Sequence, residues 1–201
     1  MSHYFLTPEK IGPTHQVQAK IWGREYQLLS APGVFSAHRL DLGTSVLFRE
    51  TTPPPAEASH LLDLGCGFGP ITIALADQCP NAHVDAIDVN DLALELTGQN
   101  AARLGFAERV HAMRPDDVPA ETDYDEIWSN PPIRVGKEAL HELLLRWLPR
   151  LKPDGICWLV VGKNLGADSL QDWLIDQGWP TERIASAKGF RILRVSRTVR
   201  I

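Results

Sequence analysis

Leu61-Leu-Asp-Leu-Gly-Cys-Gly-Phe-Gly69 is the stretch of sequence from which the fold of this chain follows. Its leucines are typical of a buried strand, and its glycines indicate a tight turn into a helix that begins near Pro70. Such a turn lets the backbone approach a ligand closely. The stretch therefore predicts an α/β chain whose first parallel strand ends at a nucleotide-like ligand, although a purely structural turn uses the same glycines.

The spacing of these glycines favours S-adenosylmethionine (SAM) over a dinucleotide. A pyrophosphate-binding turn follows the pattern Gly-x-Gly-x-x-Gly, whereas here the third glycine comes early, at Gly69, and Pro70 stands where the last one would be. Asp63 precedes the glycines. Its carboxylate suits a sulfonium or ammonium group and would repel a pyrophosphate.

A second acid, Asp88, follows the apolar run 84–87. It is expected at the carboxyl edge of the second strand, beside the glycine turn, where a carboxylate can accept hydrogen bonds from both ribose hydroxyls. The alternative is a cap or turn residue for the helix that begins near Asp91, because Asp and Asn favour helix caps.

A third signal comes where the short strand 125–128 runs into Ser129-Asn-Pro-Pro-Ile133. Two consecutive prolines fix the backbone and push Asn130 into extended geometry, so its side chain and the neighbouring carbonyls are held rigidly. An ordinary Asn-Pro turn remains the structural alternative.

Rigid acceptors have a use in methyl transfer to a planar amino group. The lone pair of such an amine is delocalised, and the nitrogen becomes nucleophilic only as it moves toward tetrahedral geometry. The side-chain oxygen of Asn130 and the carbonyl of Pro131 would accept its two hydrogens and favour that shape. In-line placement before a sulfonium methyl then needs no obligatory general base.

The rest of the chain predicts a doubly wound, mostly parallel sheet. Apolar strands near 60–64, 83–88, 109–113, 125–129 and 156–161 alternate with helices near 69–78, 91–104, 137–148 and 168–177. Segment 183–199 contains turn residues at Lys188-Gly189 between two short strands, which would form an antiparallel edge.

The N-terminal region is predicted to be a small extension. Residues 16–21 and 25–29 resemble a β-hairpin around Trp22-Gly-Arg24, and 42–50 is compatible with a helix. A stiff Pro53-Pro-Pro55 linker follows. We therefore expect residues 1–52 to form a hairpin and lid extension that packs over the donor site through Phe35 and Ser36, and residues 53–201 to form the SAM-binding domain, in one compact unit.

Composition bounds the protein class. Hydrophobic residues make up 44% of 201 positions and charged residues 22%, which predicts one globular core. The three cysteines have no paired spacing and no secretory leader is visible, so we expect a cytoplasmic protein. Cys66 lies in the glycine turn, where a small residue lining the loop is favoured over a nucleophile. No apolar run predicts a membrane span, and no histidine spacing predicts a metal.

Charge is distributed unevenly along the chain. The formal net charge is −5, yet the stretch from Arg183 to Ile201 has six basic residues and no acid. This edge would either track phosphates or be a solvated strand pair with arginines on its outer face. Near the proposed pocket, Arg134, Lys137 and Lys163 would suit a nucleic acid better than a neutral peptide. The alternative for Lys137 is a solvated residue at the start of its helix.

Several stretches together resemble the "methyltransferase small domain" group of class I SAM-dependent enzymes, which includes small-subunit ribosomal RNA guanine-N2 methyltransferases. The stretches are Gly33-Val-Phe-Ser36, Asp41-Leu-Gly43, Leu62-Asp-Leu-Gly-Cys-Gly-Phe-Gly69, Ser129-Asn-Pro-Pro-Ile-Arg134, Gly136-Lys137, Gly162-Lys163 and Leu165-Gly-Ala167. The resemblance implies a Rossmann-like sheet of seven strands, SAM as cofactor, and RNA, of the small ribosomal subunit, as partner.

The resemblance also implies roles for single residues. It implies SAM contacts from the glycine turn and its flanking acids, with Asp116 near the adenine amine. The cofactor-binding set is then Asp63, Gly65, Cys66, Gly67, Gly69, Asp88 and Asp116. Asn130, Pro131 and Pro132 would face the target base. Many amino-methylating relatives have an aromatic residue where this chain has Ile133, so a stacking platform must come from elsewhere, for which Phe35 is the candidate.

Other functions stay open at this point. A glutamine-amide methyltransferase or an adenine-N6 methyltransferase would use the same two acceptors. A nicotinamide oxidoreductase and a catalytically silent RNA-binding module are the alternatives outside this class. No internal repeat is visible, so substrate recognition is expected from short extensions, from a homodimer, or from a different substrate.

Overall fold

The computed structural model describes residues 12–132 and 136–197 of the chain. The strands are β1 (His15–Ile21), β2 (Arg24–Ser30), β3 (His60–Leu64), β4 (His83–Ile87), β5 (Val110–Met113), β6 (Tyr124–Ser129), β7 (Leu151–Gly162), β8 (Thr181–Ala187) and β9 (Phe190–Ser196). The α-helices are α1 (Leu42–Glu50), α2 (Pro70–Gln78), α3 (Asp91–Arg103), α4 (Lys137–Trp147) and α5 (Ala167–Asp176).

Seven strands form one sheet in the order β5-β4-β3-β6-β7-β9-β8. The pairs from β5 to β7 are parallel, and β9 joins β7 and β8 in antiparallel fashion. The chain moves outward from β3 to β5 and then returns to the other side of β3 with β6. Ligands bind at such a switch point, outside the carboxyl ends of the strands. The predicted Rossmann-like sheet with its antiparallel edge is confirmed.

The N-terminal extension begins with the predicted hairpin. Strands β1 and β2 pair in antiparallel register around Trp22 and Gly23, both with positive φ, as a two-residue turn requires. Inward residues such as Val17 and Leu28 share one hydrophobic cluster with Leu61 of the sheet. The extension and the sheet therefore share a core, and the division at residue 52 stays a prediction.

Hydrophobic residues cover both faces of the sheet because neighbouring residues of a strand point to opposite sides. On β6, Trp128 belongs to the cluster beneath the hairpin and α1 to α3, whereas Ile127 belongs to the cluster with α4 and α5. Both side chains are fully buried. A sheet covered on both faces leaves its strand ends as the place for a ligand.

Strand β7 begins five residues earlier than the sequence predicts. The prediction started at residue 156, where the apolar run begins. In the structure Leu151 already pairs with Tyr124, and a register shift follows before Glu126 pairs with Ile156. Asp154 has a φ of 65°, so this segment is an irregularity within the strand.

Within the described part of the chain, no helix is long and apolar enough to cross a membrane.

Candidate active site

The glycine turn and the Asn-Pro-Pro segment leave two adjacent strands. In the parallel pair β3 and β6, Asp63 is in register with Trp128. One residue further, the buried hydroxyl of Ser129 donates to the carbonyl oxygen of Leu64 at 2.6 Å. Gly65 and Asn130 therefore emerge side by side at the carboxyl edge of the sheet.

The glycine turn crosses the end of β4 and is open toward the site. The amides of Gly65 and Cys66 both donate to the carbonyl of Ile87, at 2.9 and 3.0 Å. Gly65 and Gly67 have φ values of 86° and 57°, which favour glycine. A Cβ atom at either position would meet no heavy atom within 4 Å. The turn therefore leaves free space beside its backbone.

Gly69 and Cys66, also predicted to bind the cofactor, have evident packing roles. Gly69 caps α2 with a φ of 92°, and a Cβ there would lie 2.9 Å from Oγ1 of Thr97 on α3. Cys66 is buried, and burial raises the pKa of its thiol well above the ordinary value. A thiol that stays protonated is a poor nucleophile. Cofactor contacts by these two residues stay predictions.

Asp63 is fully buried and binds the start of α2. Its Oδ2 accepts from the backbone amide of Thr72 at 2.9 Å and from the hydroxyl of Thr72 at 2.6 Å. Among the described residues its Oδ1 has no hydrogen-bond partner. Burial raises the pKa of Asp63 to about 7, against the opposing effect of the bonds from Thr72. Asp63 is not among the residues that line a cavity at the carboxyl edge of the sheet, so its contact with the cofactor stays a prediction.

Asp88 connects the glycine turn to α3 and lines this cavity at the carboxyl edge of the sheet. Its Oδ2 accepts from the amide of Gly67 and its Oδ1 from the amide of Asn90, both at 3.0 Å. The helix cap is Asn90, whose Oδ1 accepts from the amide of Leu92. Asn90 is therefore the N-cap, and Asp88 forms a turn ahead of the helix through its bond to the Asn90 amide, as the turn alternative has it. A ribose contact by Asp88 stays a prediction. Burial raises its pKa.

A cavity of about 310 Å³ lies where the two strand tips meet. This volume lies within the range of small-molecule sites. Of the predicted residues, Phe35, Gly65, Gly67, Asp88, Asn130, Pro131 and Pro132 line it. Apolar residues such as Val89, Pro115 and Leu143 also line it, which suits a planar base. The cavity therefore joins the proposed donor and acceptor sites.

Asn130 is held by the N-terminal extension. Its Nδ2 donates to Oδ2 of Asp41 at 2.8 Å and to Oγ1 of Thr44 at 2.9 Å. No hydrogen bond to its Oδ1 comes from the described residues. The amide nitrogen is thus engaged within the protein, and the amide oxygen remains as an acceptor.

Two predicted residues lie at the edge of the cavity. Phe35 lines it and is 45% exposed, which fits a stacking platform at the mouth. Asp116 follows Pro115, but its side chain is 88% exposed and pairs with Arg146 at 2.8 Å. A contact between Asp116 and adenine stays a prediction, since Pro115 rather than Asp116 lines the cavity.

Of the predicted substrate-binding residues, Ile133 and Arg134 lie outside the described residues. Lys137 and Lys163 are exposed. Lys137 is the first residue of α4, where a cation opposes the helix dipole. Lys163 directly follows Gly162, which lines the cavity, and its amide donates to the carbonyl of Gly189 at 2.7 Å.

The arginines of the β8–β9 edge are largely occupied. Arg183 and Arg191 both pair with Asp168, at 2.7 and 3.4 Å, and Arg194 pairs with Glu182 at 3.6 Å. This arrangement favours a solvated strand pair over a surface that tracks phosphates.

Six other cations lack such partners among the described residues. Their side chains have neither a carboxylate nor a carbonyl partner within residues 12–132 and 136–197. These cations are Lys20, Arg39, Arg103, Lys137, Lys163 and Lys188. Four of the six are exposed and belong to segments that contribute residues to the cavity, namely Arg39, Lys137, Lys163 and Lys188. We call these four the rim cations.

Within the described ranges, no group of three His, Cys, Asp or Glu side chains could hold a metal ion. The three cysteines are free and buried.

Sequence reasoning missed several residues of the site. Asp41 and Thr44 were not assigned a role there, although an Asp just before a helix is a cap signal. Phe190 and Leu165 line the cavity from β9 and from a short 3-10 turn. No local pattern marks Phe190, because the antiparallel pairing of β9 with β7 brings it there.

Comparison with known proteins agrees with this geometry. A profile of the family described as methyltransferase small domain matches residues 25–194. The Bacillus subtilis protein named uncharacterized protein YbxB is 29% identical over 199 residues, with 97% of this chain and 98% of that protein covered. Ribosomal RNA small subunit methyltransferase C of Hahella chejuensis is 34% identical over 177 residues, which cover 85% of this chain and 49% of that enzyme. The chain thus spans about half the length of the curated rRNA methyltransferases it matches.

Solved structures share the fold. The Thermus thermophilus 16S rRNA N2 G1207 methyltransferase RsmC, in complex with AdoMet and guanosine, superposes with a TM-score of 0.78 at 22% identity, over 92% of this chain and 51% of that one. A precorrin-6y C5,15-methyltransferase from Geobacter metallireducens gives a TM-score of 0.62 at 15% identity, over 85% and 94%. Since enzymes named for different acceptors share this fold, the acceptor must be argued from the site.

Proposed function

The chain belongs to the methyltransferase small domain family, and from this we propose that it transfers a methyl group from SAM to an exocyclic amino group, namely guanine N2 of small-subunit ribosomal RNA. One observation carries the proposal: a single cavity is lined by the glycine turn and Asp88 on one side and by Asn130, Pro131 and Pro132 on the other. The enzyme would act in the cytoplasm, where ribosomes are assembled.

The residues on the donor side fit SAM. The open backbone at Gly65 and Gly67 leaves room for the cofactor, and the Asp88 carboxylate retains lone pairs for the two ribose hydroxyls. Val89, Pro115 and Leu143 supply apolar surface for the adenine ring. When bound, SAM supplies a methyl group already activated by its sulfonium.

The residues on the acceptor side orient the amine. Asn130 Oδ1 and the Pro131 carbonyl accept the two amino hydrogens, which favours a tetrahedral nitrogen with its lone pair directed at the methyl carbon. Bound SAM would supply a methyl carbon whose bond to sulfur breaks with its electron pair on sulfur as the nitrogen attacks, and the amine would then lose a proton to solvent. Burial keeps the Cys66 thiol protonated, so it takes no part. Positioning supplies most of the rate.

The rim cations support an RNA substrate. Charged side chains that are not neutralised within the protein are available to phosphates, and a base presented for methylation must have its backbone held nearby. Phe35 offers an exposed ring at the mouth for stacking. The names of the Hahella relative and of the Thermus structure, which include ribosomal RNA and N2 of guanine, support the same substrate.

A methylation assay tests this proposal. The purified protein is incubated with methyl-labelled SAM and with small ribosomal subunits from cells that lack this protein. We expect the label in RNA, as N2-methylguanosine in nucleoside digests. Label in protein, as methylated glutamine, would show that the substrate is a glutamine amide and not RNA. Label in N6-methyladenosine would show that the target base is adenine and not guanine. Binding of NAD and not SAM in calorimetry would favour the oxidoreductase alternative. Binding of RNA without affinity for SAM would favour the silent RNA-binding module.

The Asn130→Ala variant tests the assigned acceptor. It is expected to bind SAM with unchanged affinity and to lose turnover, because the alanine cannot accept an amino hydrogen. Loss of SAM binding instead would mean that the Asn-Pro-Pro segment belongs to the donor site.

A further inference from the structure

Asp41 contacts the proposed acceptor residue from a distant part of the chain. Its Oδ2 accepts a hydrogen bond from Nδ2 of Asn130 at 2.8 Å, across 89 residues of sequence. Thr44, one turn further along the same helix, accepts from the same nitrogen through Oγ1 at 2.9 Å. Asp41 also lines the cavity. Both protons of the Asn130 amide are therefore directed at the start of α1.

We propose that Asp41 is a positioning residue, which keeps the amide of Asn130 turned so that Oδ1 faces the substrate amine. This proposal rests on the proposed function. The reason is the chemistry of the two partners. An ionised carboxylate only accepts hydrogen bonds, whereas an amide has one end that donates and one that accepts. Beside Asp41, the amide must present its NH2 group, and its oxygen is left for the substrate.

The opposite orientation of the amide would prevent catalysis. It would bring the NH2 of Asn130 against the amino hydrogens of the substrate, donor against donor. It would also set the amide oxygen against the Asp41 carboxylate, acceptor against acceptor. Both contacts are unfavourable. A side chain that accepts and donates equally well in place of Asp41 would remove the second penalty and let the amide turn.

The fold holds Asp41 in place for this contact. Asp41 is the N-cap of α1: its Oδ2 accepts from the amide of Thr44 at 3.1 Å, and its carbonyl accepts from the hydroxyl of Ser45 at 2.8 Å. Gly43 leaves the necessary space, because a Cβ there would lie 2.9 Å from both Asp41 Oδ2 and the Phe190 ring. Helix α1 in turn packs against β7 and β9.

Capping is the competing role for Asp41, so the test has to preserve the cap. Asn and Ser cap helices about as well as Asp. We expect Asp41→Asn to lower kcat at least about 10-fold, which is less than the roughly 100- to 1,000-fold loss when a preorganised group that touches the reacting centre is itself removed. SAM affinity from calorimetry, the melting temperature and the KM for RNA should stay close to the wild-type values. Asp41→Ser should behave in the same way.

The side-chain amide of Asn130 gives a readout that does not depend on activity. In 15N-labelled protein, its two amide protons should shift in Asp41→Asn, because their carboxylate acceptor is gone. Asp77→Asn is the matched control, since Asp77 accepts from Arg24 and Tyr26 at the far end of α2, and it should leave both kcat and the Asn130 signals unchanged.

The outcomes separate the two proposals. Wild-type kcat in Asp41→Asn, with Asn130→Ala inactive, would overturn the positioning role and leave the proposed function intact. A fall in kcat that is matched by a lower melting temperature or weaker SAM binding would assign Asp41 to capping alone and also overturn it. Full activity of Asn130→Ala would instead remove the acceptor role on which both depend.

Discussion

Asp88 is the proposed ribose-binding residue. It lines the cavity, and the amides of Gly67 and Asn90 fix its two oxygens. Asp88→Ala should raise the Kd for SAM by roughly 10- to 100-fold, because hydrogen bonds to a charged group contribute about 1.5–3 kcal/mol. Isothermal calorimetry measures this. Asp123→Ala, which removes an exposed acid before β6, is the control, and an equal Kd in both variants would refute the ribose assignment.

Glu126 makes folding stability depend on pH. It is buried on β6, where it accepts from the indole of Trp128 at 2.7 Å, and burial raises its pKa to about 7 from 4.5. The folded state then holds the proton more tightly than the unfolded state. This group therefore costs no stability below about pH 4.5, and it lowers the free energy of unfolding as pH rises to about 7.

Glu126→Gln should remove that pH-dependent cost, since an amide can accept from Trp128 without ionising. The free energy of unfolding of the variant should rise relative to wild type between pH 5 and pH 8, by up to about 1.4 kcal/mol for each unit by which the pKa is raised. Urea denaturation at the two pH values measures this difference. Glu121→Gln, which removes an exposed glutamate, controls for the loss of one charge, and a pH-independent difference in Glu126→Gln would contradict the prediction.

At the scale of elements, the start of α2 depends on its contact with α3. Gly69 has a φ of 92°, and a Cβ there would lie 2.9 Å from Thr97 Oγ1 and 3.1 Å from Thr97 Cγ2. Gly69→Ala should lower the free energy of unfolding by about 1–3 kcal/mol, from left-handed strain and the clash. Gly98→Ala on α3 is the control, since a Cβ there meets nothing within 4 Å; it should stabilise by about 0.5–1 kcal/mol.

A double-mutant cycle identifies the cause. Thr97→Ala removes the clashing atoms, so Gly69→Ala should cost less in that background than in wild type. Equal costs in both backgrounds, measured by urea denaturation, would show that backbone strain alone accounts for the loss.

Side-chain hydrogen bonds join the extension to both strand tips at the cavity. Asn90 on the donor side donates to the carbonyl of Gly33 at 2.9 Å, and Asn130 on the acceptor side donates to Asp41. The loop that carries Phe35 lies between these two anchors. The N-terminal segment, predicted to be a lid, thus supplies fixed contacts to both halves of the cavity.

For the molecule as a whole, the rim cations predict how RNA binding responds to salt. Lys163→Gln combined with Lys188→Gln should reduce the slope of log K against log salt concentration by about 1.4, if each lysine contacts one phosphate of a single-stranded segment. Fluorescence anisotropy with a small-subunit RNA fragment measures the slope. Lys20→Gln with Arg103→Gln removes the same charge from surfaces outside the cavity and should leave the slope at the wild-type value. Identical slopes for the two double variants would mean that RNA binds elsewhere.

The sequence by itself determined the order of strands and helices and the two strand ends that form the site. Apolar runs ending at glycines or prolines mark strand ends locally, and right-handed β-α-β crossovers bring the carboxyl ends of parallel strands to one edge of the sheet. Asp88 and Asn130 could therefore be predicted from their neighbours in the sequence.

Tertiary structure alone decided which side chains face each other across long separations. It brings Asp41 to Asn130 and Phe190 into the cavity, and it sets Asp168 and Glu182 against arginines that the sequence presents as a basic run. These contacts depend on how α1, α5 and β9 pack on the sheet. Local patterns record which face of an element is apolar, but not which distant polar group will meet it.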